Sequence, residues 1–150
     1  MEDDIISQHF SLFELTKSAV ALRHGIKNIP GPLEIINLTA LAAHILEPVR
    51  QKFAIPFSPS SGYRTRRLND VIGSKSTSQH ILGQAADFEI PTVINRDVAD
   101  WIKDNLDFDQ LILEFHQEND PQSGWVHCSY VPHNNRNQCL IYDGTTYEVF

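Results

Sequence analysis

Apolar residues recur every three or four positions in the first half of the chain. The longest such stretch covers residues 33–53, and its apolar positions are Leu38, Leu41, Ala42, Ile45 and Val49. This spacing places them on one side of an α-helix, so we expect the main core helix here. Pro48 lies inside the pattern, and because proline has no backbone N–H, it predicts a kink before the helix ends.

Three shorter helices are predicted around this one. The first covers residues 10–18, with Ser11 as its N-cap and Glu14 three residues later as the partner in a capping box. The other two cover residues 65–72 and 96–105. Asn95 is the expected cap of the last helix, since asparagine is favoured at that position.

The second half of the chain consists of short apolar-rich segments separated by turn residues. Five strands are expected, at residues 85–90, 110–115, 124–130, 138–142 and 147–150. The pair Asp143 and Gly144 is a turn signal between the last two strands. Because helices come early in the chain and strands late, we expect an α+β fold with a small, mostly antiparallel sheet. A chain of this length suits one domain, residues 1–150.

Alternation within three of these strands separates an apolar face from a polar one. The apolar positions are Ala86, Phe88, Leu111, Leu113, Phe115, Val126 and Cys128. If the helices of the N-terminal half pack on that face, then Asp87, Glu114 and His127 emerge together on the opposite face. That opposite face is the expected floor of a cleft.

His80 joins these residues only if the chain folds back. A straight strand from His80 to Asp87 would span about 23 Å, and Gly83 between them can adopt the backbone angles of a tight reversal. Two imidazoles and one carboxylate, with a fourth position open to water, are a recurrent ligand set of catalytic zinc. We therefore expect His80, Asp87 and His127 to bind one Zn²⁺ ion in the cleft.

Three phrases along the chain carry a resemblance to a known family. They are SSGYR at residues 60–64, SQHILGQAAD at residues 78–87 and GWVHCS at residues 124–129. In this order and at these intervals they resemble the signature of the zinc D-Ala-D-Ala carboxypeptidase family. FSLFELTKSAVALRHGIKNIP and the helix ending ILEPVR are also similar to small phage and bacterial members, so the resemblance covers nearly the whole chain. It implies the same three metal ligands in a peptidoglycan peptidase.

The resemblance and the strand pattern together indicate the other roles in the site. Better-known members carry the general base, a glutamate, three residues before the last histidine, but that position here is Gly124. We expect Glu114 to replace it from the neighbouring strand and to take a proton from the attacking water. Arg64 is expected to stabilise the oxyanion. The residues expected to bind substrate are Tyr63, Ser78 and Trp125.

Each of these roles has a structural alternative. Glu114 could be a solvated strand residue, because alternation fixes its face and not its distance from the metal. Arg64 could cap a helix or pair with Asp70. Trp125 could serve packing alone, and Ser78 could simply shape the turn before His80.

Two histidines and two cysteines complete the candidate chemistry. His116 alternates onto the cleft face and His133 falls in a loop, so both are candidates to lie around the metal ligands. Cys128 and Cys139 are expected to be reduced and buried, because two cysteines are too few for a disulfide scaffold. The alternative is a disulfide across a hairpin whose turn lies near residues 134–135.

Charge restricts the partners. Twelve Lys and Arg against nineteen Asp and Glu give a net charge of -7, which excludes the electrostatic footprint of a nucleic-acid-binding protein and disfavours stable association with an anionic membrane. The start, MEDDIISQHF, lacks the positive charge of a secretory signal, so we expect a protein made in the cytoplasm. A monomer is favoured, with a peptidoglycan peptide as its partner.

The sequence therefore predicts a zinc peptidase that hydrolyses stem or cross-link peptides of the bacterial cell wall, as an endopeptidase or as a carboxypeptidase that removes D-alanine. A chain without a signal or a wall-binding module suits a phage endolysin, a virion-associated lysin or an intracellular bacterial enzyme. The host lysis machinery or the virion would bring such a lysin to the wall. The alternative is a non-catalytic, zinc-containing wall-binding or virion structural module of the same fold, because the position of Gly124 departs from the family pattern.

Overall fold

The computed structural model describes residues 4–150, and its elements confirm the α+β class. The helices are α1 Leu12–Thr16, α2 Ala19–Arg23, α3 Pro32–Leu41, α4 Glu47–Phe53, α5 Arg66–Ile72 and α6 Asn95–Asn105. The strands are β1 Ala85–Phe88, β2 Gln110–Glu114, β3 Trp125–Ser129, β4 Gln138–Tyr142 and β5 Tyr147–Val149. Within residues 4–150, no helix has the length and apolar character needed to cross a bilayer.

The long helical stretch forms as expected, with an interruption before Pro48. A π-helical turn, Ala42–Leu46, lies between α3 and α4, and the N–H of Glu47 donates to the carbonyl of Ala42 five residues back. Because Pro48 cannot donate, the regular hydrogen-bond ladder breaks here and the π turn absorbs the change. The apolar stripe of the sequence is fully buried along this stretch.

One predicted helix cap is confirmed and one is wrong. The Ser11 hydroxyl accepts from the Glu14 N–H, and the Glu14 carboxylate accepts from the Ser11 N–H, which is the expected capping box. Asn95 does not cap α6, because the helix begins at Asn95 itself and Ile94 occupies the cap position. The buried Asn95 amide instead donates to the carbonyls of the loop before β3, including that of Gly124.

The strands form one sheet in the order β1-β3-β2-β4-β5, with every pair antiparallel except β2 and β4. The hairpin proposed between Cys128 and Cys139 is wrong, since β2 lies between their strands. Both cysteines pair with Leu111, from opposite sides. Two strand spacings of about 4.8 Å separate them, too far for a disulfide. Both thiols are free and buried, as expected.

One face of the sheet packs into the main core with the helical stripe. Its residues there are Ala86, Phe88, Leu111, Leu113, Val126, Cys128, Cys139 and Ile141. Phe115 was expected among them, but this was wrong. It follows the end of β2 with a φ of 54°, which breaks the alternation, and it is 45% exposed. The opposite face, called the open face below, carries Asp87, Glu114 and His127.

Candidate metal centre

Three side chains meet on the open face. His80, Asp87 and His127 are all buried, and one potential ligand atom from each lies within 4.8 Å of the other two. Asp87 Oδ1 is 2.9 Å from His127 Nδ1 and 3.3 Å from His80 Nε2. The carboxylate oxygen therefore lies between the two imidazoles.

Local structure explains how His80 reaches the other two residues. It lies in a 3-10 turn, Gln79–Leu82, that ends at Gly83 with a φ of 72°. A positive φ is accessible to glycine at little cost, so the chain reverses and enters β1 directly. In β1, Asp87 pairs with His127 of β3. The fold-back that the sequence required is confirmed.

The ring of His80 is fixed by the backbone. Its Nδ1 lies 2.7 Å from the carbonyl oxygen of Gly62, and because a carbonyl can only accept, this nitrogen carries the proton. The lone pair of Nε2 then points to the side of Asp87. Histidines that bind metals commonly donate their other N–H in this way, which orients the ring and strengthens the ligand.

The charges of the site suit a cation. Burial alone would raise the pKa of Asp87, but the neighbouring His80 and His127 hold that pKa far below its usual range. Burial lowers the pKa of His80, against the opposing effect of Asp87. The carboxylate is therefore charged, and burial favours the neutral form of the His80 imidazole. Metal binding requires a charged carboxylate and a neutral imidazole.

The spacing of the ligand atoms also suits zinc. Two donor atoms bound about 2.1 Å from a tetrahedral ion lie about 3.4 Å apart. The separations of Asp87 Oδ1 from the two histidine nitrogens, 2.9 and 3.3 Å, are close to this value. The two nitrogens and one oxygen are a donor set of catalytic zinc sites. The three residues therefore fit a zinc ion.

Arg64 lies beside the ligands and is itself buried. Its Nη2 is 3.6 Å from Asp87 Oδ2, its Nε donates to the Ser61 hydroxyl and its Nη1 donates to Asn69 Oδ1. These partners, and not Asp70, hold the guanidinium. Burial lowers the pKa of Arg64, while the charges of Asp87 and Glu114 oppose that shift.

Glu114 lies on the open face, one strand away from His127. Burial raises the pKa of its carboxyl, and the charges of His127, Asp87 and Arg64 all act on it. It pairs with Trp125 across β2 and β3, two residues along the strand from the pair of Ile112 and His127. Its carboxylate is therefore electrostatically coupled to the candidate metal ligands.

The structure explains why a glycine stands at position 124. Gly124 has a φ of 65°, and a Cβ there would lie 1.8 Å from the carbonyl oxygen of Glu114. No side chain fits at this close approach of the two backbones. A glutamate at the family's usual position is thus excluded here, and Glu114 is the residue directly against that position.

Residues 8–129, most of the 150-residue chain, match the Peptidase M15 family model. The chain belongs to the peptidase M15 family. This is the zinc D-Ala-D-Ala carboxypeptidase type that the three sequence phrases indicated, so that prediction is confirmed. A comparison with curated proteins gave no match.

The three residues expected to bind substrate in this M15 peptidase lie in different surroundings. Ser78 caps the 3-10 turn, and its hydroxyl accepts from the His80 N–H. Tyr63 is mostly buried in the main core. Trp125 is half-buried on the open face against Phe115. Their contacts with substrate stay predictions.

The two remaining candidate histidines differ in exposure. His116 is buried, and its backbone N–H donates to the carbonyl of Tyr142. Its ring Nδ1 has no hydrogen-bond partner among residues 4–150. His133 is exposed in the segment between β3 and β4. Their roles in the M15 peptidase stay predictions as well.

Two asparagines of this M15 domain, Asn28 and Asn69, were not identified from sequence. Asn69 holds Arg64, and Asn28 donates to the carbonyls of Thr16 and Tyr63 while accepting from the Thr65 N–H. Asn28 thereby fixes both ends of the segment that carries Arg64. No periodicity marks such residues, because their partners are single side-chain or loop backbone groups. The one available signal was that Asn69 directly follows the apolar Leu68; both are buried on α5.

Proposed function

We propose that the protein is a zinc-dependent hydrolase that cuts a peptide bond in the stem or cross-link peptides of bacterial peptidoglycan. The observation that carries this proposal is the convergence of His80, Asp87 and His127, with ligand atoms within 4.8 Å, in a member of the peptidase M15 family. These three residues are the proposed metal ligands. The site lies on the open face, which is the proposed cleft.

A zinc ion held by these ligands would supply Lewis-acid activation of a water molecule and of the scissile carbonyl. The chain's own groups keep the ligand geometry. The Gly62 carbonyl holds the proton on His80 Nδ1, and Asp87 lies within 3.3 Å of His80 Nε2. Arg64 restrains the second oxygen of Asp87 from the other side.

Glu114 is the proposed general base and acid. Its carboxylate faces the metal side of the sheet, and burial raises its pKa towards the range in which a carboxylate exchanges protons effectively near neutral pH. It would take a proton from the attacking water and then deliver it to the leaving amine nitrogen. The half-buried position limits bulk water around that transfer.

Arg64 is the proposed oxyanion stabiliser. Ser61 and Asn69 hold two of its nitrogen atoms, so the guanidinium is fixed before substrate arrives. A fixed positive charge interacts more strongly with the negative oxygen of the tetrahedral intermediate than with the neutral carbonyl, and such selective stabilisation accelerates the reaction. Tyr63, Ser78 and Trp125 are the proposed substrate contacts.

The biological setting proposed for this activity is lysis of a bacterial cell by a phage. A protein made in the cytoplasm would act on the wall as an endolysin released by the host lysis machinery, or as a lysin carried by the virion. Residues 1–150 are proposed to form one domain, and a monomer is the proposed oligomeric state.

The test is digestion of purified peptidoglycan with zinc, with a chelator, and with the chelator followed by added zinc. We expect new amino termini in the first and third reactions alone, and mass spectrometry of the fragments identifies the bond. Loss of turbidity by outer-membrane-permeabilised Gram-negative cells gives a second readout. If zinc binds but no peptide is released, a non-catalytic wall-binding or virion module replaces the enzyme.

A further inference from the structure

The open face continues beyond the candidate metal centre, and within two strands its side chains change from polar to apolar or aromatic. Strand register gives two rows that start at β3 and end at β5. The first row is His127, Ile112, Leu140 and Val149, and the second is Trp125, Glu114, Tyr142 and Tyr147. Both rows begin beside the proposed site; the first is apolar from β2 onwards, and the second is aromatic except at Glu114. The surface next to the site is therefore part of the same sheet face.

Four aromatic rings form a continuous surface at this end of the sheet. Phe115 contacts Trp125 and Tyr142, with ring centroids 5.1 and 5.3 Å apart, and Tyr142 stacks on Tyr147 at 4.4 Å. We call these four residues the aromatic shelf. Phe115 is 45% and Tyr147 50% exposed, so the shelf is open to a ligand.

The shelf differs from an ordinary solvated sheet face. The exposed face of an antiparallel sheet is commonly polar, whereas an exposed cluster of large apolar side chains marks a binding surface. Val149 adds to it, since it is 82% exposed in the row beside Tyr147. The rings also adjoin Glu114, which places the cluster along the edge of the proposed cleft.

The shelf is held in place before any ligand arrives. The Tyr142 hydroxyl donates to the carbonyl of Gly144, and the Asp143 carboxylate accepts from the N–H groups of Thr145 and Thr146. These bonds fix the turn that joins β4 and β5. Fixed rings lose little conformational entropy on binding, which favours recognition of a flat ligand.

We propose that the aromatic shelf binds a sugar ring of the glycan strand that carries the stem peptide. This inference rests on the proposed function. A pyranose ring presents a flat C–H surface with hydroxyl and acetamido groups at its rim, and it matches a flat aromatic surface with a phenolic hydroxyl such as that of Tyr147. Most ligand sites combine apolar walls with a few polar groups in this manner.

Charge favours a sugar over the peptide itself at the shelf. The carboxylates of Glu114 and Asp143 flank the rings, and the chain carries a net charge of -7. A free carboxylate of the stem peptide and the phosphate of an anionic lipid are repelled at the rings, whereas the proposed metal and Arg64 attract the peptide at the other end of the cleft. An N-acetylated sugar ring carries no charge.

Distance is consistent with a single substrate that reaches both places. Trp125 is two residues from His127 along β3, about 7 Å, and three strand spacings of about 4.8 Å lead from Trp125 to Tyr147. An extended peptide covers about 3.5 Å per residue, so about two to five residues bridge the sugar and the scissile bond. Stem peptides have this length.

The direct test is titration of the ¹⁵N-labelled, zinc-loaded protein with the trimer of N-acetylglucosamine. The chain has two tryptophans, and Trp101 packs against Phe53 away from the shelf. We expect the indole signal of Trp125 to shift saturably and that of Trp101 to stay. Absence of a saturable shift at Trp125 overturns the proposal.

Variants separate ring stacking from general surface effects. Tyr147→Ala should weaken binding of the trimer about tenfold, whereas Tyr147→Phe, which keeps the ring, should retain most of it. Leu33→Ala is the matched control, because Leu33 is an apolar residue of α3 that is 73% exposed. Wild-type affinity in Tyr147→Ala contradicts the proposal. If wild type binds no sugar and Tyr147→Ala changes the sedimentation coefficient, the shelf is a subunit interface. That result also overturns the proposal.

Kinetics distinguish failure of this inference from failure of the proposed function. A stem peptide linked to its disaccharide should show a KM about tenfold lower than the free stem peptide, and Tyr147→Ala should remove that difference with kcat retained. Equal KM values in wild type overturn the shelf and leave the peptidase intact. If neither substrate is cut, the proposed function fails and the titration alone decides the shelf.

Discussion

The two halves of the open face are built on different principles. On the side of β1 and β3, the residues are buried and polar: His80 donates a hydrogen bond to the Gly62 carbonyl, and Asp87 Oδ1 lies 2.9 Å from His127 Nδ1. On the side of β4 and β5, the exposed ring of Tyr147 stacks on the half-buried ring of Tyr142. The first half has directional contacts and the second has broad apolar ones.

This difference matches what each half would have to do. Metal binding requires ligand atoms within a few tenths of an ångström of fixed positions, and directional hydrogen bonds provide that constraint. Binding of a flat ligand tolerates sliding across ring faces. Glu114 lies at the boundary, and within residues 4–150 its carboxylate makes no hydrogen bond, which leaves both oxygens available for proton transfer.

The largest effect is expected from removal of the central carboxylate. Asp87→Ala deletes the oxygen between the two imidazoles, so one zinc ion per chain should be lost on dialysis. Peptide release from peptidoglycan should fall about a thousandfold or more, because the Lewis acid is absent. Metal analysis and fragment mass spectrometry measure the two effects.

Asp70→Ala is the matched control for that experiment. Asp70 is an exposed carboxylate on α5, and it was the other candidate partner for Arg64. Its removal should leave zinc content and activity unchanged. Full zinc occupancy in Asp87→Ala would show that the β1 and β3 side of the open face is not a metal site.

The next effect is expected at the boundary between the halves. Glu114→Gln keeps the shape of the side chain but removes its basicity, so kcat should fall by about a hundredfold or more while zinc content stays at one ion. Glu118→Gln, in the exposed loop after β2, is the control. A kcat equal to that of wild type would make Glu114 a solvated strand residue.

Sequence alone could predict which residues share the open face, because alternation along a strand is a local property. Asp87, Glu114 and His127 were grouped in this way, and β1 to β3 confirm their common face. The order of the strands in the sheet could not be predicted from the sequence. The parallel pairing of β2 with β4 separates Cys128 from Cys139, and no local pattern encodes a pairing between distant segments.

The errors at Asn95 and Phe115 have the same physical origin. Asn95 is a good capping residue by local propensity, but its amide makes hydrogen bonds with loop carbonyls about thirty residues away. Phe115 fits the alternating pattern until a positive φ turns the chain at the end of β2. The Phe115 ring then packs on Trp125 and Tyr142, so in both cases a tertiary contact overrides the local preference. The sequence pattern does not contain these contacts.

A third effect concerns the contact that brings Gly124 against Glu114. Gly124→Ala should lower the free energy of unfolding by about 3 kcal/mol or more, because a methyl group has both an unfavourable φ and a backbone clash. Urea denaturation measures it. Gly73→Ala is the matched control, since Gly73 also has a positive φ, 83°, but nothing lies within 4 Å of the added Cβ.

That control isolates the contact from the backbone strain. Gly73→Ala should cost about 1 kcal/mol, the cost of the φ alone. If both variants lose the same free energy of unfolding, the close approach of Gly124 to Glu114 does not explain why position 124 is a glycine. The restored family residue, Gly124→Glu, should likewise destabilise the protein and not raise its activity.

The smallest effect is expected at the buried carboxylate of Asp109, which contacts the turn that carries His80. It accepts from Gln79 in the 3-10 turn of His80 and from two nitrogens of Arg136. These bonds, chiefly those of Arg136, lower the pKa of Asp109. Asp109→Asn should lower the free energy of unfolding by about 1 to 2 kcal/mol at pH 7, since Arg136 is partly exposed and solvent weakens the pair.

The pH dependence tests whether the charge of Asp109 is responsible. Because its pKa is lower in the folded state, its stabilisation is complete above the unfolded value of about 3.9 and is lost as the pH falls through the folded value. The difference between wild type and Asp109→Asn should therefore shrink when urea denaturation is repeated at pH 3. Asp107→Asn, at an exposed neighbour, should show no such difference. Zinc affinity should change little, because the Gly62 carbonyl and Asp87 still hold His80 when the contact to Gln79 is lost.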